Sequence, residues 1–168
     1  MVQNAAPSPQ NRYLADHVDR LRYSFRRLLG EDLIDPTLSD VAAAQALYEA
    51  PFVVVSHGTE ADPIFNYANR MAQQLFELSW EDFTALPSRL SAELPNRAER
   101  AQLLATVAQQ GFIRDYAGVR IAKSGRRFTI QNAIVWNVSD GAGTPCGQAA
   151  LFHQWQSLED DDEPGRMR

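Results

Sequence analysis

Cysteine occurs once in the 168 residues, at Cys146. One thiol cannot close an internal disulfide, and no CxxC pair or Cys/His cluster is available for a structural zinc. A reducing cytoplasm fits that usage. Lysine also occurs once, at Lys123, so the positive charge is almost all arginine, which reads as composition bias more than chemistry. The 16 basic and 21 acidic residues leave a formal charge of −5, which argues against nucleic-acid binding. No apolar run approaches the ~20 residues needed to span a bilayer. Met1–Gln10 has no basic start followed by an apolar stretch, so it is not a signal peptide. Nucleophile elbows, phosphate loops and metal-binding motifs are missing as well.

What is present is an ordinary soluble composition, 45% hydrophobic and 22% charged, in a chain long enough for one domain with its own core. Residues 1–10 are polar with two prolines and are expected to be disordered. From Asn11 to Leu29, Leu14, Val18, Leu21, Phe25 and Leu28 recur every three or four residues, one stripe of a helix ending at Gly30. That stripe suits docking on the body, and it also suits a homodimer seam. A second, alanine-rich helix is expected over 39–50, before Pro51. Residues 11–50 thus read as a helical extension to a body over 51–157, followed by an acidic, disordered tail over 158–168.

Within the body, Phe52–Val55 and Ile64–Tyr67 read as a hairpin of two strands around the turn chemistry of His57–Pro63. Asn69 is placed to cap a helix carrying Ala72, Leu75 and Phe76. Ser79 and Asn96 start two further helices, the second ending at Gly111. Residues 112–122, 127–138 and 148–155 read as three strands joined by hairpins. Strands at both ends with helices between them imply a five-stranded antiparallel sheet in an α+β fold, with short helices on one face and the first helix packed outside.

The run Ile64-Phe65-Asn66-Tyr67-Ala68-Asn69, followed by Ala72, Leu75 and Phe76, resembles the strand-to-helix entry of PAS domains. Further strings carry a tighter likeness: Leu86-Pro87-Ser88-Arg89-Leu90, Arg97-Ala98-Glu99-Arg100, Asp115-Tyr116-Ala117-Gly118-Val119-Arg120-Ile121, Gly125-Arg126-Arg127-Phe128, Val135-Trp136-Asn137 and Gly147-Gln148-Ala149-Ala150. Together, over about Leu47 to Trp155, they resemble the MEKHLA domain, a PAS-like family found in stand-alone bacterial proteins and at the C-terminus of plant class III homeodomain leucine-zipper factors. The resemblance implies a sensory or regulatory module with an unidentified small-molecule ligand. No homeodomain or zipper precedes the domain here, so the stand-alone type is expected and DNA binding is not.

Candidate ligand contacts are Asn132, Gln148, Trp136, Tyr67 and Arg89. Asn132 interrupts the apolar even face Phe128, Ile130, Ile134, Trp136 and Val138; it points either into a cavity or, through a bulge, outward. Gln148 opens the last strand, where flavin-binding light sensors of this fold carry a glutamine. Their asparagine-cysteine-arginine motif is missing and Cys146 lies on another element, so no flavin is implied. His17, His57 and His153 form no ligand cluster, and no haem is implied. Arg89, Glu93, Arg97, Glu99 and Arg100 form a charged cluster that reads as surface ion pairs or as a carboxylate clamp, with Asp115, Tyr116 and Arg120 extending it. An enzyme would have Asp115 and His153 as its only acid/base candidates, and the chain is expected not to be one. A ligand-free interaction module is the runner-up reading.

Overall fold

The computed structural model describes residues 5–92 and 94–158, without the side chains of 94–97, 100 and 104. The acidic run from Glu159 and most of the Arg89–Arg100 cluster fall outside those residues.

The first helix, α1, covers Ala15–Leu29. It begins four residues later than its stripe implies, because Arg12, Tyr13 and Leu14 are left-handed, with φ of 57°, 54° and 55°. They close a 3-10 turn over Pro9–Leu14. The Ser8 N–H donates to Asn11 Oδ1 (2.9 Å) and the Asn11 amide donates to the Ala6 carbonyl (3.0 Å). Residues 5–10, expected to be disordered, are therefore tied to the helix entry. Gly30 closes α1 at φ 72°, a conformation glycine adopts at little cost. The stripe residues Val18, Leu21 and Phe25 are buried against the protein's own sheet, so they leave no seam for a second copy. Helix α2 (Asp40–Tyr48), capped by Ser39, packs beside α1.

The sheet is antiparallel, in the order β2 (Phe65–Ala68), β1 (Val53–His57), β5 (Pro145–Phe152), β4 (Arg127–Ser139), β3 (Phe112–Ile121). A sixth strand, β6 (Gln154–Leu158), pairs with the first half of β4. The pairs Ile134↔Leu151 and Gln131↔Gln154 lie in one register, so β6 continues β5 past a break at His153. Between β2 and β3 run α3 (Arg70–Phe76), α4 (Trp80–Phe83), a 3-10 turn over Ser88–Ser91 and α5 (Leu94–Gln110). Asn69 and Ser79 cap α3 and α4 by accepting from Ala72 N–H and Asp82 N–H.

Opposite the break, β4 carries a bulge. Asn132 has φ 54°, and in β3 Asp115 has φ 57°. The β3–β4 register slips by one residue at Tyr116↔Ala133 and recovers at Gly118↔Ile130, so the two bulges compensate each other. Aspartate and asparagine tolerate the left-handed region better than other side chains. The slip changes which parity of β4 faces inward. Phe128 and Ile130 before it, and Ala133 and Val135 after it, face α3–α5; Trp136 and Val138 face α1. The even face therefore does not stay on one side of the sheet as its alternation implied.

Two apolar clusters result. The inner one joins Val53, Val55, Phe65, Phe76, Phe83, Phe128 and Phe152. The outer one joins Val18, Leu21, Phe25, Val54, Trp136 and Leu151.

Candidate functional site

The inner cluster does not close completely. Between the sheet and α5 lies a mostly apolar cavity of about 60 Å³, walled by Val55, Phe76, Leu103, Ile130, Ala133, Val135 and Phe152. Five polar residues interrupt that wall: Ser56, His57, Tyr116, Arg120 and Gln148. A wider cleft of about 550 Å³ shares His57 and Gln148 with it and is lined further by Thr59, Pro63 and Ala108.

His57, Gln148 and Asn137 form a row across three neighbouring strands, fixed by the pairs His57↔Gln148 and Asn137↔Gln148. The Gln148 amide donates to Asn137 Oδ1 (3.0 Å), and the Asn137 amide donates to the Val107 carbonyl of α5 (2.9 Å). Gly147 makes the row possible, because a Cβ there would lie 1.8 Å from the His57 carbonyl oxygen. The chain runs through it at φ 139°, which glycine alone accepts readily.

On the opposite wall, β3 contributes Tyr116 and Arg120. Arg120 is 8% exposed and is the one buried side chain of permanent charge among the described residues. Its guanidinium donates to the Val119 carbonyl (3.0 Å) and to the Tyr116 hydroxyl (3.2 Å), and lies 5.5 Å from the Tyr116 ring centre. Gly118, between them, has no side chain to displace the pair: a Cβ there would meet Tyr116 Oη at 2.8 Å and Arg120 Nη1 at 3.1 Å.

Of the five candidate ligand contacts, Gln148 alone lines the cavity. Asn132 is exposed and its amide donates to Gln154 Oε1 (2.6 Å), because the bulge turns it out of the core. Trp136 lies under α1, edge-on to Phe25 at 4.9 Å, on the other side of the sheet. Tyr67 is on that outer side too, stacked on His17 at 5.5 Å, and burial raises its hydroxyl pKa. Arg89 is half-exposed and pairs with Asp62 at 3.1 Å, so it is a surface ion pair and not a wall of the cavity. Asp115 and His153 are exposed, and neither reaches the cavity. Arg120 and Tyr116, read from the sequence as extending the charged cluster, line the cavity together with His57, for which no ligand role was expected. Arg120 shares its strand face with Gly118 and the buried Ala122, an inward parity that could have marked it.

His17 belongs to the outer layer. Burial, with the Arg20 charge second, lowers its pKa to about 4. The ring contacts Ser56 Oγ at 3.0 Å, and Ser56 donates to Asn66 Oδ1 (2.5 Å), so the hydroxyl oxygen is left to accept from His17 Nε2–H.

Among the described residues no group of three His, Cys, Asp or Glu could hold a metal ion, and no helix is long and apolar enough to cross a membrane. The cavity does not fit an isoalloxazine or a porphyrin. An engineered cavity of about 150 Å³ takes only benzene, more than twice the space here. Cys146 donates to the Thr144 carbonyl at the start of β5, away from the cavity wall.

A family model described as the MEKHLA domain matches residues 15–157. The homeobox-leucine zipper protein HOX32 of Oryza sativa subsp. japonica is 23% identical over 155 residues, covering 92% of this chain and 18% of that protein. ATHB-8 of Arabidopsis thaliana, another homeobox-leucine zipper protein, is 25% identical over 163 residues, covering 90% of this chain and 18% of its own length. The chain thus spans less than a fifth of these relatives. Among solved structures, a PAS domain from Colwellia psychrerythraea superposes with a TM-score of 0.55 at 15% identity, over 68% of this chain and 92% of that one. An RNA-binding light-oxygen-voltage receptor superposes with a TM-score of 0.59 at 16% identity, over 76% and 35%. The fold is PAS-like.

Proposed function

The chain belongs to the MEKHLA domain family, and on that premise we propose that it is a sensory or regulatory module that takes a small molecule into the cavity between its sheet and α5. The observation that carries this reading is the convergence of Gln148 and Arg120 on one otherwise apolar cavity. A few polar groups on an apolar wall are the usual make-up of a small-molecule site. A domain that only needed a core would fill that space with aliphatic side chains at less cost. The single, partly buried thiol is compatible with a reducing compartment, and we place the module in the cytoplasm.

The test is mass spectrometry of the full chain, purified and sprayed under non-denaturing conditions. A discrete mass excess below about 100 Da is expected, because about 60 Å³ is less than half of a benzene-sized cavity. It should be lost in Ala150→Leu, whose added carbons enter the cavity. A bare polypeptide mass from freshly isolated protein would sink the reading.

A second reading, a ligand-free interaction module, draws on the cavity's small volume of about 60 Å³. Because α1 uses its stripe internally, such a partner would meet another surface. Neither wild type nor Ala150→Leu would then carry a mass excess, and partner binding would be the same in both.

A further inference from the structure

We propose that the cavity recognises a carboxylate, the acid group of a compact organic acid, held by Arg120. This rests on the reading of the cavity as a ligand site. Arg120 is 8% exposed, yet no carboxylate of a described residue lies within ion-pair distance of it. Every other ion pair of the described residues is at the surface. A buried guanidinium without a counter-ion is costly, and such charges are normally paired. Its hydrogen bonds, to the Val119 carbonyl and the Tyr116 hydroxyl, occupy two of five N–H donors and neutralise nothing. The others remain for a planar, bidentate acceptor, the geometry of a carboxylate.

The surroundings select further. Ala133, Val135 and Phe152 offer the rest of the ligand an apolar wall. About 60 Å³ is too small for an aromatic ring and suits a short acyl chain. Gly118 leaves the pair its present positions, since a Cβ there would press on the Tyr116 hydroxyl and crowd the Arg120 guanidinium.

The experiment compares two probes of one shape, propionate and propionamide, added to the isotope-labelled full chain and followed by NMR. Propionate is expected to shift the Arg120 Nε–H and the Ala133 and Ala150 methyl signals saturably. Propionamide should bind about tenfold more weakly or worse, because the charge-assisted bonds are lost. Arg120→Met should erase the difference; if that variant does not fold, the comparison of the probes on wild type decides alone. Equal binding of the two probes would overturn the carboxylate assignment while leaving the cavity a ligand site. A stronger response to inorganic phosphate than to propionate would also overturn it. If neither probe moves the cavity methyls of ligand-free protein, the assignment and the ligand-site reading fall together.

Discussion

Asn69 uses all of its hydrogen-bonding capacity inside the protein. Its Oδ1 accepts from Val54 N–H and Ala72 N–H, both at 3.2 Å, and its amide donates to the Leu47 carbonyl (3.1 Å) and the Phe52 carbonyl (2.8 Å). One side chain thereby joins the end of α2, the start of β1 and the cap of α3. Removing it deletes a cap worth about 1 kcal/mol and strands buried groups at about 1–3 kcal/mol. Asn69→Ala is expected to lower the unfolding free energy in urea by about 2–4 kcal/mol; a loss below about 1 kcal/mol would contradict this role. The sequence pattern identified Asn69 as a cap, but its other three bonds come from segments 15 and more residues away and have no local signature.

His17 gives the protein a pH dependence of definite sign. Its folded pKa of about 4 lies below the ordinary 6.5. Between those values the unfolded chain takes up a proton that the folded chain refuses. This contribution is therefore complete above pH 6.5, declines as pH falls, and is fully lost below pH 4. The full shift corresponds to about 3 kcal/mol, which partial exposure of the ring reduces to about 2. His17→Phe keeps the stack on Tyr67 but has nothing to titrate. Urea melts at pH 7 and pH 4.5 should differ less in the variant than in wild type, by about 2 kcal/mol. Parallel pH curves would remove His17 as the cause.

Among the elements, α1 is the one whose status the sequence left most open. Its three-four spacing was legible because a helix with one apolar stripe needs no distant information. What the stripe packs on was not legible, since a docking face and a dimer seam have the same spacing. The answer lies in Trp136, buried to 0% exposure and met edge-on by Phe25. Phe25→Ala would lose that aromatic contact and open a cavity in the outer cluster, a cost of about 3–5 kcal/mol. We expect the whole domain, followed by tryptophan fluorescence and by far-ultraviolet circular dichroism, to melt earlier in one transition. Loss of helix signal ahead of the sheet would instead mean that α1 is a detachable extension. β4 shows the opposite limit. Its alternation was legible, and a bulge turning Asn132 outward was one of the two readings its sequence allowed, but the change of inward parity beyond it was not drawn. The clue was local: Ala133 and Val135 are apolar at odd positions while Ile134, Trp136 and Val138 are apolar at even ones. An asparagine that tolerates positive φ stands where the two patterns meet.

At the scale of the whole molecule, the antiparallel sheet followed from hairpins at both ends and helices between them, a topology with few alternatives, whereas the pairing of β1 with β5 and the sixth strand had no local signature. The candidate site was only partly readable. Gln148 was found by position on its strand, whereas Arg120 was assigned to a charged face because its charge outweighed the inward parity it shares with Gly118 and Ala122. The shared outer surface has a consequence of its own. Helix α1 occupies the half of it around Trp136 and Leu151, leaving the half where β4 pairs with β6. There Thr129 stands opposite Gln156, and Gln131 opposite Gln154, with the glutamines exposed. Another molecule resting on the sheet would meet amides and a hydroxyl, with the Arg127 charge at the margin of the same strand face, so directional polar bonding would supply most of its grip.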